Sequence, residues 1–256
     1  MNYKQLEDLV FEDWTWRKIE ISDLILIAEK EENEVLLKSI ILLLYAHWEG
    51  YIKKTSKTYV KYIADNKFNI AELTENFKAI SLKGLAKEVL ASSSTLTLSN
   101  ELKLTLKYSQ IGNYTLDKLI KIDLDNEKDK SIIDTQDNLN PAVFRNILEL
   151  IGLRYKKEYE TRERFIEKQL LANRNSIGHG NKKMLVDEDF NIEILSIKKL
   201  RDIIISFIEN FRDEILEYSK SSYFLHSNVD KCKNFCEEME TKLASTFKEI
   251  ETRYTT

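Results

Sequence analysis

Arg174, Asn175 and His179 fall within the seven-residue segment Arg174-Asn175-Ser176-Ile177-Gly178-His179-Gly180, and such a set can bind a phosphate and move a proton. An arginine guanidinium is planar, stays charged and can grip two phosphate oxygens at once. An imidazole exchanges protons near neutral pH. RNA carries its own nucleophile, the 2′-hydroxyl. A protein therefore cleaves it without a metal by supplying a proton acceptor, a proton donor and a cation for the phosphorane charge. Asn175 and His179, four residues apart, share one face of a regular helix. Arg174 points about 140° away from His179 at 3.6 residues per turn. Its long side chain, or a local distortion near Gly178, has to close that angle. Taken alone the spacing is a weak signal, and a Gly-His-Gly at a helix end also reads as a C-cap whose histidine meets the last carbonyls.

The elements that position these residues are helical. In 256 residues there are 6 Gly and 1 Pro, with 43% hydrophobic and 32% charged residues, a composition short of turn formers and suited to amphipathic helices. The fold class expected is all-α: one domain over 1–256, with a core over about 33–219 and a C-terminal amphipathic helix over 227–254. Val35, Leu36, Ile40, Leu43, Leu44, Trp48, Ile52, Tyr59 and Ile63 predict a long helix from Asn33 to about Asn66, buried on most sides at its middle. Leu73 to Leu90 predicts a second, broken or kinked near Ser81 to Gly84 and ended by Ser92-Ser93-Ser94. Residues 95–122 fit a strand or a short helix, and Asp123 to Asp137 reads as an exposed loop. Asn140-Pro141 suits an N-cap and first helical position, with Gly152 placed as the stop. Tyr155 to Ile177 predicts one charged-faced helix with Phe165, Ile166, Leu170 and Ile177 inward, ending at Gly180-Asn181. Residues 184–195 look extended or loop-like. Ser196 suits the cap of a helix to Tyr218. Ser227 to Asp230 resembles a capping box ahead of the stripe Val229, Cys232, Cys236, Met239, Leu243, Phe247 and Ile250.

Charge and apolar runs exclude several function classes. A net charge of −4 and a pI near 5.7 argue against coating nucleic acid through overall charge, so an RNA contact must be a local site. The longest apolar run, Ile40 to Ala46, is far shorter than the ~20 residues that span a bilayer. No signal-peptide pattern opens the chain, so the expected location is the cytoplasm, with reduced cysteines and no membrane partner. Cys232 and Cys236 lie four apart on an apolar stripe, where packing explains them better than metal binding. His47 and Glu49, on the most buried helix, read first as a hydrogen-bonded core or interface pair. An accessory role at the site is the alternative, with Glu49 the better candidate because a carboxylate could orient Arg174 or His179. His226 reads as a loop residue. Lys53, Lys54, Lys57 and Lys61 form either a track for an RNA backbone or a solvated face.

Three segments, in order, carry a family resemblance. Arg174-Asn175-x3-His179-Gly180 resembles the Arg-x4-6-His signature of the HEPN superfamily, including the polar residue after the arginine. Leu42-Leu43-Leu44-Tyr45-Ala46-His47-Trp48-Glu49-Gly50-Tyr51-Ile52-Lys53 and Asp137-Asn138-Leu139-Asn140-Pro141 leading to Leu150-Ile151-Gly152-Leu153 are similar to a bacterial HEPN subgroup linked to defence and toxin loci. The resemblance implies a HEPN-like helical bundle with additional helices. It also implies a metal-independent endoribonuclease, without cofactor, that works as a homodimer as a toxin or antiphage effector. An antitoxin or regulatory protein partner would follow from that role. The nucleotidyltransferase-paired toxins of the superfamily carry a tyrosine two positions after the histidine, where this chain has Asn181. One chain offers a single such histidine, so a two-fold dimer would assemble a composite site with an acid and a base. The other reading is a non-catalytic adaptor that uses the same cleft to bind nucleotide, RNA or a protein partner.

Overall fold

The computed structural model describes residues 1–31, 33–91, 99–126, 129–180 and 193–255, and the architecture over them is all-α. Helix α2 (Glu34–Asp65) is the central element, started by Asn33, whose side chain accepts the Val35 N–H. By length and composition it could cross a bilayer, but half of its apolar window is buried inside the protein, as the middle of a bundle requires. Before it runs α1 (Tyr3–Glu31), antiparallel to it, with Met1 bonded to Asp65, the Tyr51 hydroxyl donating to the Val10 carbonyl and Arg17 meeting His47. The sequence pattern announces no helix before Asn33, because α1 carries apolar residues all round. Leu6, Val10, Trp14, Ile21, Ile25 and Ala28 face the core, while Leu9, Phe11, Trp16, Ile19, Leu26 and Ile27 are exposed.

Helix α9 (Ile194–Lys220) packs on both, with Glu209 accepting from Trp14 and Lys18 and the Tyr62 hydroxyl reaching the Ser219 carbonyl. Helix α10 (Val229–Tyr254) returns antiparallel along α9, tied by Tyr218–Cys236 at one end and Arg253–Asp202 at the other. At the centre sits Phe144 of α5 (Pro141–Leu150), in edge or tilted contact with Trp48, Tyr159, Phe207 and Phe211. Helices α3 (Glu75–Ala91) and α4 (Ser99–Gln110) pack together beside it, so the ambiguous 95–122 stretch contains a helix. The described part of 123–137 is irregular as expected. It is not wholly exposed, however, because Ile132, Ile133 and Thr135 are buried and pin it to the body. The expected turn at Ser92-Ser93-Ser94 and most of 184–195 lie outside the described residues.

Asn140 caps α5 through its side chain, which accepts the Val143 N–H at 2.9 Å, with Pro141 in the first turn. The helix ends in a Schellman pair, Leu153 N–H to the Leu148 carbonyl and Gly152 N–H to the Glu149 carbonyl. Gly152 has φ +84° and lies against the Asn76 side chain, which donates to the Leu150 carbonyl. We expect Gly152→Ala to lower stability by about 1–2 kcal/mol, the cost of a side chain in the left-handed region, read as a lower urea midpoint at unchanged slope.

The single helix expected over Tyr155 to Ile177 is divided. Helix α6 (Lys157–Glu160) stops at a turn, and α7 (Glu163–Ile166) passes through a π-helical turn (Glu167–Leu171) into α8 (Ala172–Gly178). Tertiary contacts at the break explain it: Arg162 bonds Glu158 and Glu251 of α10 and lies 3.9 Å from the Phe247 ring centroid. The caps near the C-terminus also differ. Helix α9 starts at Ile194 rather than after Ser196. Asn228, not Ser227, stands at the cap of α10, its amide donating back to the Ser221 and Ser222 carbonyls.

Candidate active site

The site is built on the last turn of the α7–π–α8 segment, against the middle of α2. The π turn leaves backbone carbonyls without their usual donors, and the buried Asn173 supplies one, its amide donating to the Gln169 carbonyl at 3.0 Å. Beyond that turn the inward positions are polar, with Asn173 and Ser176 buried while Ile177 is half-buried. Arg174 projects from the side of α8 that faces α2. Its Nη1 donates to Asn175 Oδ1 at 2.8 Å and its Nη2 to the Asp137 carbonyl at 3.3 Å, while Cζ lies 4.4 Å from the Tyr45 ring centroid. The guanidinium thus bends back toward the side chain of Asn175, the residue that shares a helical face with His179. Among the described residues none of its direct partners is a carboxylate.

Asp137 offers its carbonyl from an unusual backbone, since Gln136 and Asp137 have φ of +55° and +54°. Its own carboxylate is paired with Lys130, which holds it below the usual carboxylate range. Tyr45 is buried on α2, and its hydroxyl accepts the Leu139 N–H at 2.9 Å. Burial and the Glu49 carboxylate push the phenol up, against the opposing pull of the Leu139 N–H and Arg174. Glu49 lies one turn beyond Tyr45 on the same face and half-buried, so it joins the site through Tyr45. His179 follows α8 as its cap, with its N–H on the Asn175 carbonyl at 3.0 Å. Its side chain is exposed and has no partner among the described residues.

The MAE_28990-like HEPN family matches residues 6–224, from the first turn of α1 to the end of the segment after α9. This chain belongs to that family. Neither a curated protein nor a solved structure matches it. The HEPN match covers every residue of the site and leaves out α10.

His47 is not brought to this candidate site. It lies about 200° from Tyr45 around α2, facing α1, where Arg17 Nη1 is 3.3 Å from Nδ1 and the Trp16 ring meets it edge-on. Glu20 stands 3.1 Å from Nε2, within ion-pair range but without hydrogen-bond alignment. Burial and the Arg17 charge lower its pKa, so near neutral pH it is a neutral imidazole accepting from Arg17. Gly50 makes this arrangement possible, because a Cβ there would come within 2.9 Å of the Arg17 guanidinium. His226, close to Glu75 of α3, is also remote from Arg174. Three of the four lysines in the series have partners within the chain: Lys54 bonds Asp13, Lys57 is buried on the Asn126 carbonyl, and Lys61 bonds Asp65. Cys232 and Cys236 are free thiols with sulfurs 3.5 Å apart. Among the described residues no cluster of three or more His, Cys, Asp or Glu could hold a metal.

Three contributors escape a reading of motif residues alone: Tyr45, the Asp137 carbonyl and the Leu139 N–H. Tyr45 and Glu49 carry a sequence signal, since they are four apart within the segment that resembles the family. Asp137 and Leu139 also stand in a segment that resembles the family, but nothing in their residue types marks a backbone carbonyl or N–H as the contributing group.

Proposed function

We propose that this HEPN protein is a metal-independent endoribonuclease that cleaves RNA by attack of the 2′-hydroxyl on the adjacent phosphate. HEPN domains are often ribonucleases, and the family membership supports the reading. The observation that carries it is the pairing of a guanidinium free of carboxylate partners with an exposed imidazole on the following turn of the same helix. Arg174 binds the scissile phosphate and stabilises the phosphorane, Asn175 holds the guanidinium, and His179 moves the proton. Glu49 is the accessory residue of this reading.

The active form is a homodimer with two copies of the 174–180 segment at one cleft. His47 and His226 are placed elsewhere, so one chain brings one imidazole to a reaction that benefits from an acid and a base. The α2 surface that includes Glu49 also exposes Val35 (68%), Leu42 (37%) and Ala46, apolar area that a second copy would cover. In the cell the role we propose is growth arrest, as a toxin or antiphage effector held in check by an antitoxin or regulatory partner in the cytoplasm.

The test is incubation of purified protein with total RNA in excess EDTA. Cleavage should persist and leave 2′,3′-cyclic phosphate ends, and Arg174→Ala or His179→Ala should slow it by about a hundredfold or more. Cleavage that requires a divalent ion would refute the mechanism. Absence of cleavage, with RNA or nucleotide still bound, would instead establish the non-catalytic adaptor.

A further inference from the structure

We infer that Tyr45 is the positioning residue for Arg174, holding the guanidinium by its ring face so that the arginine meets a phosphate oriented and fully charged. The inference rests on the ribonuclease reading for its kinetic consequence and on geometry for the contact itself. Three groups hold the guanidinium: the Tyr45 ring, 4.4 Å from Cζ, the Asp137 carbonyl and the Asn175 amide oxygen. All three are uncharged. An arginine fixed by a carboxylate would reach a phosphate with its charge already offset, whereas a ring quadrupole and two neutral oxygens orient it without cancelling that charge. Among the described residues two of its five N–H donors are used, so the others remain for phosphate oxygens.

The platform is itself fixed. Tyr45 is 3% exposed, its hydroxyl accepts the Leu139 N–H, and the Glu49 carboxylate stands beside that hydroxyl. Leu139 lies two residues beyond Asp137, so one turn supplies a hydrogen bond to the platform and another to the arginine. The left-handed pair Gln136-Asp137 shapes that turn. A shift of the turn therefore moves the ring and the carbonyl together, and with them the guanidinium.

Tyr45→Phe and Tyr45→Leu in the full chain separate the ring from the hydroxyl, with cleavage of a short RNA and thermal midpoint measured for each. Phe should keep kcat within about threefold, while Leu should lower kcat about tenfold or more at nearly constant KM, because a misplaced catalytic group costs rate more than binding. Equal losses in both variants, or a loss in Leu confined to KM or to the thermal midpoint, would overturn the inference. The Arg174 Nε–Hε resonance, assigned by its disappearance in Arg174→Lys, gives a readout independent of activity. It should be shifted by the ring current in wild type and Tyr45→Phe and return to the ordinary arginine position in Tyr45→Leu. If Arg174→Ala cleaves RNA normally, the ribonuclease reading fails while the resonance still decides the contact. An unshifted wild-type resonance disproves the platform whatever the activity.

Discussion

Alanine at His179 should lower the rate constant for RNA cleavage by about 10²- to 10⁴-fold, the range over which a positioned acid or base contributes. The fold should be unaffected, because the imidazole is exposed and has no partner among the described residues. Arg174→Ala should cost a comparable factor, about 10²–10³, through loss of charge stabilisation in the transition state. It should also cost slightly more stability, since the side chain is half-buried on Tyr45. The sharper experiment uses dimers linked to carry one wild-type and one His179→Ala chain. If the two imidazoles act as acid and base at one cleft, the mixed dimer should fall nearly to the level of the double variant. Retention of full activity per dimer would show that each chain works alone, and the composite site would be discarded.

The second large effect is on stability. Lys156 and Glu214 form an ion pair that is almost wholly buried, and neither has another hydrogen-bond partner among the described residues. The Lys156 ammonium also lies 5.2 Å from the Tyr159 ring centroid. Burial pushes the Glu214 carboxyl up to about 7, against the pull of Lys156. Because its folded pKa lies above the unfolded value, Glu214 favours the folded state most fully below about pH 4.5. That contribution is lost as pH rises through about 7. Lys156→Met removes the lysine's pull and leaves a carboxylate to be buried alone, so it should destabilise by about 3–5 kcal/mol at pH 8.5. At pH 5.5, where the carboxyl is protonated, the loss should be clearly smaller. Adding Glu214→Leu should restore most of the stability at both values, since replacing a buried pair with apolar groups is often neutral or favourable. Urea midpoints at the two pH values decide the matter, and a loss of equal size at both would disprove the assignment.

How far the sequence discloses this molecule differs from element to element. Helices α2, α5, α9 and α10 were legible because each has an apolar stripe at helical spacing, and Asn140, Pro141 and Gly152 carried their cap chemistry in their residue types. Helix α1 was illegible for the opposite reason: Ile19, Leu26 and Ile27 on its outer sides erase the contrast that periodicity needs. The candidate site was named through side chains with recognisable chemistry, Arg174, Asn175 and His179, and the structure shows what supports them. Tyr45 could be foreseen as a neighbour of Glu49 but not as a partner of Arg174, since 129 residues separate the two. His47 illustrates the converse. It stands two residues from Glu49 in the same segment, yet two residues on a helix is nearly the opposite side, and there it meets α1.

The π turn before α8 has a consequence for any comparison made by counting residues. One extra residue is absorbed between Glu167 and Leu171, so side chains after it sit about 100° away from where an unbroken α-helix through Phe165 and Ile166 would put them. Beyond the turn Ser176 is buried and Ile177 half-buried, and Arg174 is aimed by a phase that starts afresh at Ala172. In this chain the distance that matters to the site is counted from the turn, not from the start of the helix.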